Sequence, residues 1–130
     1  MLSVTALFAS VFTFFFIRLA FNVIKLRRAN RVALGNGGFD DLESAIRAHG
    51  NFAEYVPLGL ILLGLLEANE GNLGLVAVLG ITLLIGRLFH FKGLETGDLK
   101  KRVHGMKLTF GTLATLAIVN IFYAIRSWVA

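Results

Sequence analysis

Two long apolar stretches constrain this chain more than anything else in it. Ser3 to Ile24 is rich in phenylalanine and broken by Arg18 and Asn22, and Leu73 to Phe91 follows further on. About 20 apolar residues in a helix cross a hydrocarbon core of roughly 30 Å, and only helices or closed barrels satisfy their backbone groups there. Two more stretches qualify once a polar first part is allowed: Leu42 to Ala68, apolar from Val56 onward, and Val103 to Val129, apolar mainly after Leu108. The sequence thus predicts an all-α integral membrane four-helix bundle, with helices over about 3–24, 42–68, 73–91 and 103–129 in a single transmembrane domain covering 1–130. Composition agrees, with 56% hydrophobic residues among 130 and a mean hydropathy of +0.74, too apolar for an ordinary soluble domain.

No basic residue precedes the first run, which is longer than the apolar part of a signal peptide, so this helix is expected to stay in the mature protein. The lone proline, Pro57, lies inside the second helix and predicts a modest bend there. No internal repeat or low-complexity tract stands out.

Cysteine is absent, which excludes disulfides, protein thiolate nucleophiles and zinc–thiolate centres. The net charge of +5 would suit a nucleic-acid binder if it were spread over a soluble surface. Instead the cations gather at one end of the bundle: Lys25, Arg27, Arg28 and Arg31 after the first helix, and Arg87, Lys92, Lys100, Lys101, Arg102 and Lys107 around the third junction. The middle connection carries Glu67 and Glu70 and no cation, while Arg126 is the one basic residue at the opposite end. No nucleic-acid partner is expected. The positive-inside rule puts the first and third connections in the cytoplasm and both termini on the other side. Membrane lipid is the expected surrounding, and for a bacterial chain the inner membrane, where helical spans belong.

Chemistry concentrates where the second helix enters the membrane. Arg47, Asn51, Glu54, Tyr55 and Leu58 recur at helical spacing and form one stripe. A cation, an amide, a carboxylate and a phenol aligned in this way suit a small zwitterionic ligand. Glu54 sits about two turns below Arg47, and an ionisable side chain at such depth is costly unless paired or hydrated. Arg18 lies at a comparable depth on the first helix, so a buried Arg18–Glu54 ion pair is expected. Gly86-Arg87-Leu88-Phe89-His90 and Lys100-Lys101-Arg102-Val103-His104-Gly105 bring further cations and imidazoles to the same level. Arginine keeps its proton, so its work is to hold an anion or stabilise a thiolate. For His49, His90 and His104 no pair has the spacing of a helical zinc motif, and no metal is expected. Gly59, Gly64, Gly80, Gly86 and Gly111 are expected to allow close helix packing.

These residues resemble the MAPEG family, the membrane-associated proteins in eicosanoid and glutathione metabolism, in a form similar to its compact bacterial members. The resemblance rests on Arg27-Arg28-Ala29-Asn30-Arg31-Val32, on Glu43 with Arg47-Ala48-His49-Gly50-Asn51-Phe52-Ala53-Glu54-Tyr55-Val56-Pro57-Leu58, and on Gly86-Arg87-Leu88. It implies a homotrimer of four-helix subunits with glutathione, as co-substrate, held between neighbours. Arg47, Asn51, Glu54 and Tyr55 would contact the tripeptide from one subunit. Arg27 would reach it from the adjacent first helix, and Arg28 would lie beside the thiol. His49 stands where relatives carry a polar ligand-holding side chain, and Arg87 and His90 add to the glutathione set. Arg102 resembles the helix-four arginine that stabilises the thiolate, with Lys101 a rival for that place because the third connection is one residue longer. Where leukotriene-synthase-like members have two tyrosines after the helix-three arginine, this chain has His90 and Leu94.

The activity implied is that of a membrane glutathione transferase or peroxidase acting on a small hydrophobic electrophile or a lipid hydroperoxide, with catalysis by Arg102 and Arg28. Two other readings belong to different classes: a catalytically silent glutathione- or lipid-binding scaffold, and a small proton-coupled exporter using Glu54. The exporter reading requires Glu54 to have no fixed arginine partner.

Overall fold

A computed structural model describes residues 1–129. It consists of four helices, α1 Ser3–Asn30, α2 Asp40–Ala68, α3 Leu73–Thr96 and α4 Leu99–Val129. Each is long and apolar enough to cross a membrane. The order and number match the expectation, but α2 starts two residues early, at Asp40, and three other boundaries shift further. α1 runs past Ile24 to Asn30, α3 past Phe91 to Thr96, and α4 starts at Leu99 rather than Val103. The additional turns are the polar, basic ones. A hydropathy criterion ends a span where the charge begins, whereas the helix ends where a cap or a glycine stops it.

Those stops are visible in the backbone. Arg31 adopts the left-handed conformation at φ 56° and its N–H closes onto the carbonyls of Arg27 and Arg28. Gly97, at φ 70°, ends α3, and the next residue, Asp98, accepts the Lys101 N–H at 3.2 Å in the first turn of α4. That backbone bond, aided by the neighbouring Lys101 charge, holds the Asp98 carboxyl below its ordinary range. Asn72 caps α3 by accepting the Leu75 N–H at 3.1 Å. α2 continues without interruption through Pro57.

Packing follows the chain. α1 lies against α2 and α3, α2 touches all three other helices, and α1 makes no helix contact with α4. Between them sits an apolar core of Phe12, Phe52, Leu63, Leu83 and Leu116, all at most 5% exposed. Phe15 meets Phe52 and Phe91 edge-on, with ring centroids 5.2 and 5.6 Å apart. The closest approach is between α3 and α4. A Cβ on Gly86 would stand 3.0 Å from Thr109 Oγ1 and 3.1 Å from the Gly105 carbonyl, and one on Gly105 would collide with the His90 backbone. Small residues on facing helices allow this proximity in lipid, where burial supplies no force between helices. Of the glycines singled out from sequence, Gly59, Gly80 and Gly86 are in tight contact, while Gly64 has only ordinary contact and Gly111 faces open space.

At the end opposite the basic cluster, Glu67 is only 5% exposed. Its carboxylate accepts the Thr5 N–H at 2.7 Å and the Val4 N–H at 3.0 Å, with the Ser3 hydroxyl at 3.5 Å. The N-cap residue of α1, Leu2, has no side chain able to do this, so a carboxylate from α2 caps α1 instead.

Candidate functional site

Arg87 is the centre of the basic end. It is 2% exposed, and its Nη1 donates to Asn51 Oδ1 at 2.8 Å. Nη2 points at the Met106 sulfur, 3.6 Å away, and the guanidinium lies 5.9 Å from the centre of the Tyr55 ring. Tyr55 in turn meets Phe110 edge-on at 5.4 Å. Three helices therefore converge on one guanidinium: α2 through Asn51 and Tyr55, α3 through Arg87 itself, α4 through Met106 and Phe110. No carboxylate pairs with it among the described residues; the only ion pairs there are Lys92–Glu95 and Lys101–Asp98. Burying a cation costs several kcal/mol unless a counter-charge and hydrogen bonds offset it. An amide oxygen and a thioether supply only part of that, so the site favours an anion.

His90 lies one turn on, 6% exposed, near enough to Arg87, Arg102 and Arg47 for all three charges to act on it. Beside it a cavity of about 240 Å³ is lined by His90, Arg102, Val103, Met106, Lys107 and Phe110, with Leu99 at its end. The two α4 candidates have different surroundings. Lys101 turns back to Asp98, Nζ to Oδ2 3.5 Å, while Arg102 borders the cavity.

The sequence stripe is thus assembled in part. Asn51 and Tyr55 face Arg87; Arg47 and Glu54 share their helix but are exposed. The expected Arg18–Glu54 ion pair is not made within the chain. Arg18 leans over Phe91, 6.0 Å from the ring centre, on the α1–α3 side, whereas Glu54 projects from α2 beside the Asn51–Tyr55 face. Equal depth does not fix azimuth. His49 also departs from the stripe: it stacks on Phe16 of α1 at 4.7 Å, and its Nε2 is buried without a partner in the chain. Arg27 turns its Nη1 to the carbonyls of Gly35 at 2.9 Å and Ala33 at 3.3 Å. Arg28 is exposed. Glu43 steadies the same connection by accepting from Asn36 Nδ2 at 3.0 Å.

Met106 and Phe110 were not anticipated as site residues. The signal was present, because Arg102, Met106 and Phe110 are spaced by four and share a face of α4. Methionine and phenylalanine simply read as core at that spacing.

A membrane four-helix bundle whose second, third and fourth helices close on a buried arginine is the class that this fold and site define. The chain belongs to the MAPEG family: the sequence model of that family matches residues 5–122. Among known proteins it is similar to the inner membrane protein YecN of Escherichia coli K12, 38% identical over 120 residues that make up 92% of each chain. YecN of the O6:H1 strain CFT073 matches to the same extent.

Proposed function

We propose that this protein is a glutathione-dependent transferase or peroxidase of the inner membrane, acting on hydrophobic electrophiles at a site shared between subunits of a homotrimer. The observation that carries the reading is the buried, carboxylate-free guanidinium of Arg87, fixed by Asn51 beside Tyr55 and touching Met106, which lines a cavity with His90 and Arg102. Such a pocket fits a ligand with carboxylates of its own. Arg47 and Glu54, exposed on the same helix, are free for the ligand's carboxylate and ammonium groups. Arg102 stabilises the thiolate of bound glutathione, which attacks the electrophile directly; the proton goes to solvent, and an aryl acceptor releases its halide.

The first helix supports a shared site. α1 makes no helix contact with α4, so Arg28 and Arg102 stand on different sides of one chain. Arg28 serves the site of a neighbouring copy, as does His49, which lies on the α1 side with an unpartnered Nε2. The basic end faces the cytoplasm, on the charge asymmetry of the connections.

A silent glutathione-binding scaffold is the second reading, favoured by the imidazole of His90 where leukotriene-synthase-like members have a tyrosine. Glu54 without an arginine partner is what an exporter requires, but membership of the MAPEG family weighs against that reading. Calorimetry with glutathione, followed by turnover of an aryl halide and a lipid hydroperoxide, separates these. Arg87→Gln is expected to weaken glutathione binding about tenfold or more, by loss of charge-assisted contacts. Arg102→Ala is expected to lower turnover by about 10²–10³ with binding little changed. Binding without turnover of either substrate leaves the scaffold reading, and no glutathione binding at all removes both.

A further inference from the structure

A second polar region lies on the other side of the bundle, in the seam between α1 and α3. Two adjoining hollows occupy it, about 250 Å³ and about 440 Å³, sharing Asn22, Phe91 and Glu95 as walls. The inner one is bordered by Arg18 and Lys25 of α1, and the outer one by Asp40, Asp41 and Ser44 at the start of α2. We propose that this seam binds the headgroup of an aminophospholipid, its phosphate between Arg18 and Lys25 and its ammonium between Asp40, Asp41 and Glu95.

Three observations lead there. Arg18, Asn22 and Lys25 are spaced by four and three, so α1 presents them on one face to the seam. Arg18 lies nine residues below Arg27, about 13 Å deeper along the helix axis. It is exposed, makes no ion pair among the described residues, and lies over the Phe91 ring, 6.0 Å from its centre. Helical Cα–Cβ bonds tilt toward the N-terminus, here away from the basic end, so this side chain has further to reach for water on that side. A cation at that depth calls for an anion brought into the membrane, and a lipid phosphate arrives with its acyl chains already in the hydrocarbon.

The carboxylates decide which lipid. Lys92, which lines neither hollow, pairs with Glu95 at 2.7 Å; with it counted, three cations, Arg18, Lys25 and Lys92, stand against the carboxylates of Asp40, Asp41 and Glu95. The seam is neutral in sum but ordered in sign: Arg18 and Lys25 deeper, the aspartates further out. A phosphatidylethanolamine headgroup has the same order, phosphate next to the acyl glycerol and ammonium beyond it. Phosphatidylglycerol would set an uncharged glycerol against the aspartates, and the methylated ammonium of phosphatidylcholine has no N–H to donate to them.

Native mass spectrometry of the detergent-purified protein, titrated separately with dioleoyl phosphatidylethanolamine, phosphatidylglycerol and phosphatidylcholine, tests this. Phosphatidylethanolamine is expected to be retained about tenfold better than either other lipid, the factor set by one or two charge-assisted hydrogen bonds. Arg18→Ala should lower its retention by a similar factor, and Asp40→Asn with Asp41→Asn should abolish its advantage over phosphatidylglycerol while leaving that lipid bound. A thermal-shift titration of the unaltered protein with short-chain phosphatidylethanolamine gives a readout that does not depend on any variant folding. Equal retention of the three lipids, a preference for phosphatidylglycerol, an unchanged Arg18→Ala, or an equal thermal shift from inorganic phosphate would each overturn the proposal.

Discussion

Two buried charges in this chain meet opposite fates. Glu67 is satisfied within the fold, its carboxylate receiving two backbone N–H groups and a hydroxyl from the start of α1, while Arg87 has one amide oxygen and a sulfur. The difference separates a structural charge from one held for a ligand. Glu67→Ala should therefore destabilise the protein by about 2 kcal/mol, the range for losing a helix cap and stranding its donors. A lower melting temperature in detergent, with protease sensitivity rising first at the N-terminus, is the expected result. An unchanged melting temperature would mean that α1 is held by packing alone. Glu67→Gln should fall between the two, since it keeps one acceptor oxygen and loses the charge at the positive end of the α1 dipole. At this scale the sequence was informative about Asn51, Tyr55, Arg87 and Arg102, whose residue types demand partners in lipid. It was silent about Glu67, which reads as a loop acid because nothing local says that the end of α2 lies under the start of α1. The Arg18–Glu54 expectation failed for the same kind of reason: helical spacing gives depth, but only packing gives direction.

Among the elements, the α3–α4 pair sets the site most directly. Gly86, Gly93 and Gly105 bring the two backbones together beside Arg87, His90 and Arg102; a Cβ on Gly93 would stand 2.7 Å from Arg102 Cγ. A large residue in this contact cannot be absorbed by a side chain moving aside, because what it meets at Gly105 is the backbone of His90. Gly105→Leu is expected to cost about 1–3 kcal/mol or more from overpacking and to weaken glutathione binding as the helices part. Gly111→Leu, where a Cβ meets nothing within 4 Å, should leave both unchanged and serves as the control. If the two variants melt alike, the close approach is not what holds α4 in place. The existence of each helix was legible from hydropathy, but the ends were not: the basic turns Lys25 to Asn30 and Leu99 to Arg102 are helical despite a polar composition that resembles connecting loop. Glycines were recognised as packing positions, yet Gly111 and Gly105 look alike in sequence, and only the neighbouring helix distinguishes them.

For the whole molecule, the arrangement of faces makes a demand that a single chain does not meet. α2 reaches both α1 and α4, which do not touch each other, with Asn51 and Tyr55 turned to α3 and α4 and His49 turned to α1. One copy thus offers two groups of polar residues on different sides, and in the proposed homotrimer a closed ring would join the first group of each subunit to the second group of the next. Complementation tests this without any structure of the assembly. Arg28→Ala and Asn51→Ala should each, alone, lose glutathione-dependent activity, because every interface then lacks one half. Co-expressed with different affinity tags and purified through both, mixed trimers should recover activity at about a third of their interfaces, since each of them has a single junction that draws both intact halves. Recovery cannot occur if both residues serve a ligand inside the same chain, for then every chain carries a damaged site whatever its neighbour. Mixed oligomers that remain as inactive as their parents would accordingly place Arg28 and Asn51 in one chain's site, and would require α1 to reach a side of the bundle from which this fold keeps it apart.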